Sequence, residues 1–183
     1  MLMFAGQMGC EALNFVLKRL IKEERPKQMY GKGYGMPSSH AQFVAYFSIS
    51  LTLFLILRHT PPKRPIPSHT PLSMGTRVGL SILAMVCATL VAWSRIYLNY
   101  HTPKQVLVGY MAGAVSAVVW FLATTIIRRF QLLDWGLDTP LARLFRVRDL
   151  VVEEDLCQAG WEKWEERRSL SKEKANGMKI KMI

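Results

Sequence analysis

The sequence predicts an all-α fold: an integral membrane helical bundle of about four transmembrane helices. Composition is the first sign. Half of the 183 residues are hydrophobic and a fifth are charged. They segregate, with residues 1–129 apolar and residues 130–183 polar and charged. The second sign is three stretches without a charge, at residues 41–57, 78–94 and 105–127. A helix of about 17–25 apolar residues crosses a bilayer. A buried helix in a large soluble protein is the competing reading, but too few polar residues are available to coat it. The net charge of +11 suits nucleic acid and an anionic membrane surface equally. The uncharged runs decide for the bilayer and against a nucleic-acid partner.

A first helix is expected over about residues 2–21, ended by Pro26. Its start, "MLMFAGQMGCEALNFVL", has no cleavage-site pattern and reads as the end of a membrane helix. A second is expected over about residues 38–57, with Ser38 and Ser39 as helix-capping residues. Five prolines make residues 58–73 a solvated loop. The third spans about residues 76–98, and the turn "NYHTP" leads to a fourth over residues 103–129. Pro103 suits the first helical turn, where its missing donor costs nothing. Gly109, Gly113 and Ala117 form a ridge on which another helix packs closely. The polar tail is either a solvated segment or an interfacial helix anchored by Trp161 and Trp164. Cys10, Cys87 and Cys157 form no disulfide framework or metal spacing and read as packing residues.

Alternating spans bring separated ends together. The end of the first helix, the start of the second, the end of the third and the start of the fourth share one face. Lys18, Arg25, His40, Arg95 and His101 therefore converge. Lys and Arg favour the cytoplasmic side. Sixteen lie on the proline loop with its flanks and on the tail, against eight on the opposite face. This count predicts a cytoplasmic C-terminus and a cluster on the other side.

Fixed cations and imidazoles on one face suit an anion with several oxygens, above all phosphate. A helix N-terminus at Ser38 and Ser39 adds free N–H groups and a positive dipole end. No metal cage is visible, and no cofactor is called for. Two histidines can divide the work, one as nucleophile and one as acid and then base. Taken singly, each cation reads equally as an anchor for lipid headgroups.

Three strings carry a resemblance. "KRLIKEERP" is K-x6-R-P, "PSSH" resembles P-S-G-H, and "SRIYLNYH" is S-R-x5-H. Together they resemble the signature of the type 2 phosphatidic acid phosphatase superfamily. "YGMPSSHAQF" and "SRIYLNYHTPKQ" look most like its dolichyl diphosphatase branch. The resemblance implies a six-helix core, so the first helices are expected to be missing from this chain. It implies an endoplasmic reticulum membrane enzyme with a lumenal active site. The reaction would be hydrolysis of dolichyl diphosphate, a polyprenyl lipid, to dolichyl phosphate and phosphate. It would recycle the carrier for protein N-glycosylation. His101 would be the nucleophile and His40 the acid and base. Lys18, Arg25 and Arg95 would hold the phosphoryl oxygens, with Ser38 and the backbone at Ser39.

Two positions depart from the pattern. Ser39 stands where the superfamily often has Gly. Gln105 stands where an Asp usually orients the nucleophile in the superfamily; the dolichyl diphosphatases resemble this sequence in having Gln there. Gln105 would orient His101 through its carbonyl oxygen, and Glu11 is a candidate for the missing charge. Two other readings stay open. One is a phosphatase for phosphatidate, sphingoid phosphate or a sugar phosphate. The other is a non-catalytic module that binds headgroups. The final "KIKMI" resembles a dilysine retrieval signal.

Overall fold

The computed structural model describes residues 2–26, 33–59, 72–147 and 160–171. Every regular element among them is helical. In chain order these are α1 (Leu2–Ile21), α2 (Ser39–Leu53), α3 (Met74–Tyr97), α4 (Pro103–Arg129), α5 (Leu132–Leu137) and α6 (Pro140–Leu144). A seventh, α7, covers residues 160–171 and belongs to a second unit. Within it Trp161 and Trp164 lie 4.8 Å apart, and Arg168 sits over Trp164. Most of the proline loop, part of the Gly-rich segment before Tyr34, Cys157 and the final "KIKMI" lie outside the described residues.

Three helical segments are long and apolar enough to cross a membrane: Ser39–Arg58, Met74–Tyr97 and Pro103–Arg129. The first expected span, α1, has the length, but Glu11, Lys18 and Arg19 raise its charge. Its buried residues are Gly6, Gln7, Cys10 and Asn14, a small and polar stripe turned inward. On α3 only Ser81, Ala88 and Ala92 are buried, while Ile82, Leu83, Leu90 and Trp93 are exposed. Apolar side chains outside and small or polar ones inside are what a lipid solvent selects.

Helix α2 is central and packs against α4, α3 and α1. Small residues make its close approach to α4 possible. A Cβ on Gly109 would meet the Ser38 carbonyl oxygen at 2.5 Å, and one on Gly113 would collide with the Gln42 carbonyl. Ala117 continues the ridge into a cluster with Cys10 and Tyr46. Gln42 ties α2 to α1: it donates to the Cys10 carbonyl at 2.8 Å and accepts from Asn14 at 2.6 Å. Such interhelical bonds average about 0.6 kcal/mol in a membrane bundle, so their main effect is to set register.

Helix α1 ends at Ile21, where the sequence places its end, but Lys22 in a left-handed conformation with φ 52° stops it ahead of Pro26. Helix α2 finishes in a π-helical turn, Phe54–Arg58, which no local sequence signal announces. Arg77 of α3 donates to the Leu55 and His59 carbonyls there. Arg58 donates to the Phe121 carbonyl and the Thr124 and Thr125 hydroxyls of α4. These contacts gather one end of the bundle; the candidate site occupies the other.

Candidate active site

The sequence between α3 and α4 builds one wall. Asn99, with φ 55°, ends α3 in the left-handed conformation that asparagine tolerates. The chain folds back, and the Arg95 carbonyl accepts from the Tyr100 and His101 amides at 3.0 and 3.2 Å. Arg95 and His101 are thereby held on one turn. Thr102 then caps α4 in a capping box with Gln105. Pro103 follows at the start of the helix, as expected.

Helix α2 supplies the second wall. Ser38 is its N-cap residue, but its side chain makes no capping bond. Its Oγ is fully buried and has no hydrogen-bond partner. The Nε of Arg25 is likewise buried and unpartnered. A buried polar atom without a partner is costly, and two at the N-terminus of one helix suit an anion. Ser39 begins α2, and His40 in its first turn is exposed.

The predicted residues come together. His40 lies within electrostatic reach of Arg95, Lys18, Arg25 and Glu11. His101 lies within reach of Arg25 and Lys18. The Ser38 amide donates to the Gln105 carbonyl at 3.1 Å, closing the two walls. Arg95 also stacks over Tyr100.

His101 is buried, with 6% of its surface exposed, and Gln105 is wholly buried. Burial pushes the His101 imidazole below its ordinary value. Nearby Arg25 and Lys18 act in the same direction; Gln105 and the Gly35 backbone oppose them. The ring is therefore neutral at neutral pH, as a nitrogen nucleophile requires. Among the described residues no cluster of three His, Cys, Asp or Glu side chains could hold a metal ion.

Gln105 is the hub. Its Oε1 lies 3.3 Å from His101 Nδ1 and accepts from the Thr102 amide at 3.2 Å. Its Nε2 donates to Glu23 Oε1 at 3.1 Å and to the Glu24 carbonyl at 2.8 Å. The sequence reading nominated Glu11 as the carboxylate behind the nucleophile, yet Glu23 is the one bonded to Gln105. The available signal was a buried neutral amide whose two hydrogens both need acceptors.

A sequence profile of the PAP2 superfamily matches residues 2–129. The chain belongs to the PAP2 superfamily. The match spans α1 to α4 and contains every residue of the site. A Neurospora crassa chain carrying a provisional dolichyldiphosphatase name is 48% identical, over 94% of this chain and 78% of its own length. The Dictyostelium discoideum protein named dolichyldiphosphatase 1 is 34% identical, over 84% of this chain and 64% of its own. The Saccharomyces cerevisiae dolichyldiphosphatase is 31% identical, over 79% and 59%. The chain thus spans less than two thirds of the last two relatives. No solved structure matches it.

Proposed function

We propose that this PAP2-superfamily chain is a membrane lipid diphosphatase that hydrolyses dolichyl diphosphate to dolichyl phosphate and phosphate. The observation that carries the reading is the convergence at the α2 N-terminus of three cations, two imidazoles and an unpartnered serine hydroxyl. The choice of substrate rests on the names of the relatives and on the "PSSH" and "SRIYLNYHTPKQ" strings.

Lys18, Arg25 and Arg95 neutralise the terminal phosphoryl oxygens, and Ser38 Oγ with the first amides of α2 completes the cradle. His101 attacks the terminal phosphorus through its ring nitrogen. The bond from that phosphorus to the bridging oxygen breaks, and His40 donates a proton to the departing dolichyl phosphate. Water then attacks the phosphohistidine. Its proton goes to His40, the P–N bond breaks, and phosphate leaves with His101 restored.

The reading extends to location. The chain works in the endoplasmic reticulum membrane, with the site facing the lumen and the tail in the cytoplasm, where it renews the lipid carrier for protein N-glycosylation. The excess of Lys and Arg on the proline loop and tail supports that orientation.

Phosphate release by the purified protein, in detergent with a chelator, tests the reading against dolichyl diphosphate, phosphatidate and glucose 6-phosphate. Release from dolichyl diphosphate that His101→Ala abolishes is expected. Preference for phosphatidate would overturn the substrate. Equal release by wild type and His101→Ala would overturn the enzyme.

A further inference from the structure

We propose that Glu23 is the positioning carboxylate of this site, acting on His101 through the amide of Gln105. The inference rests on His101 being the nucleophile of the proposed reaction. Where the superfamily pattern has an acid, this chain has a neutral amide, and a carboxylate stands directly behind that amide.

The hydrogen bonds fix the direction of the relay. Glu23 Oε1 and the Glu24 carbonyl, both acceptors only, face one end of the Gln105 amide. The Thr102 amide, a donor only, faces the other end. The NH₂ must therefore point to Glu23 and the oxygen to His101. An oxygen opposite His101 Nδ1 requires the proton on Nδ1, which leaves Nε2 as the free base. Glu23 thereby selects the tautomer that attacks through Nε2. When Nε2 bonds to phosphorus the ring becomes cationic, and the Glu23 charge, relayed through the polarised amide, stabilises it.

Local geometry holds the relay. Glu23 lies in the segment after α1, where its carbonyl accepts from the Gly35 amide at 2.7 Å. Its other carboxylate oxygen accepts from Lys104 Nζ at 3.2 Å. The Gln105 and Lys104 hydrogen bonds hold the Glu23 carboxyl below its usual range, so it is ionised at working pH. Lys104 is mostly exposed, and its pairing with Glu23 is worth little by itself. The charges that act on the His101 ring directly are Arg25 and Lys18, against which stand its hydrogen bonds to Gln105 and the Gly35 backbone; Glu23 reaches it through Gln105, and Arg95 meets the His101 backbone.

The test compares Glu23→Gln and Glu23→Asp in the full chain. For Glu23→Gln, kcat on dolichyl diphosphate is expected to fall about ten- to a hundredfold, the effect of one lost hydrogen bond to a charged group, with KM nearly unchanged. The acid limb of its pH profile should move to lower pH. Glu23→Asp should recover part of kcat. In parallel, ¹⁵N-histidine NMR without substrate, with His101 assigned through His101→Asn, should show Nδ1–H in the wild type. In Glu23→Gln the His101 titration should shift to lower pH. An inactive wild type that still shows the Glu23-dependent tautomer and titration would sink the dolichyl reading and leave the relay standing. A Glu23→Gln variant with unchanged titration would overturn the relay.

Discussion

The Ser38 amide donates to the Gln105 main-chain carbonyl at 3.1 Å, joining the turn that starts α2 to the helix that follows His101. One bond between residues far apart in sequence sets the distance between the phosphate cradle and the proposed nucleophile. It forms only because Gly109, one turn further along α4, leaves room for the Ser38 backbone.

Gly109→Ala tests that contact. The added Cβ would sit 2.5 Å from the Ser38 carbonyl oxygen and 3.0 Å from its nitrogen. Both are backbone atoms and cannot turn aside. Overpacking of this kind costs about 1–3 kcal/mol. Thermal unfolding in detergent should fall accordingly, and phosphate release should fall further than stability, because the displaced atoms frame the site.

Ser38→Ala should behave oppositely. The hydroxyl is buried without a protein partner, so its removal relieves an unsatisfied group. The melting temperature should hold or rise slightly. Phosphoryl binding loses one donor, and kcat/KM should drop about tenfold, the effect of roughly 1.4 kcal/mol in the transition state. An unchanged kcat/KM would count against the cradle.

The pH profile follows from the burial of His101. Its value is lowered, so the neutral nucleophile survives into mildly acidic solution. As pH falls, kcat/KM should be lost only below about 6.5, the ordinary imidazole value. Replacing the neighbouring cation in Arg25→Gln should raise the His101 value and move that acid limb upward, whatever it does to the amplitude. A stopped-assay profile between mildly acidic and neutral pH reads both.

Gly35→Ala should disturb the hub. A Cβ there would meet the Gln105 Nε2, Oε1 and Cδ atoms at 2.8–3.0 Å. A free amide would swing away, but this one is held by Glu23, Glu24 and Thr102. A loss of kcat of about ten- to a hundredfold is expected, as for one lost hydrogen bond to a charged group, with substrate KM nearly unaffected.

Much of this was legible in the chain. Helix α4 runs over Pro103–Arg129, as Pro103 and the apolar run predicted, and the Gly109–Gly113–Ala117 ridge packs on α2. Alternation of spans correctly brought Lys18, Arg25, His40, Arg95 and His101 to one end. These features depend on local composition, on period and on the parity of crossings, which a sequence records directly. The end of α1 near Ile21 was legible, but its cause, a left-handed Lys22 ahead of Pro26, was hidden. The idle hydroxyl of Ser38 was also hidden, since a serine before a helix ordinarily caps it.

The sequence by itself determined that the chain is a helical membrane bundle, where its long helices lie, and which charged residues share an end. Only the tertiary structure decided that Glu23, and not Glu11, stands behind Gln105. Burial in a bundle and helical period are properties of each segment. The meeting of a carboxylate and an amide separated by 82 residues depends on how an irregular segment folds across a helix terminus. That path is set by hydrogen bonds such as Gly35 to Glu23, which leave no periodic trace in the order of residues.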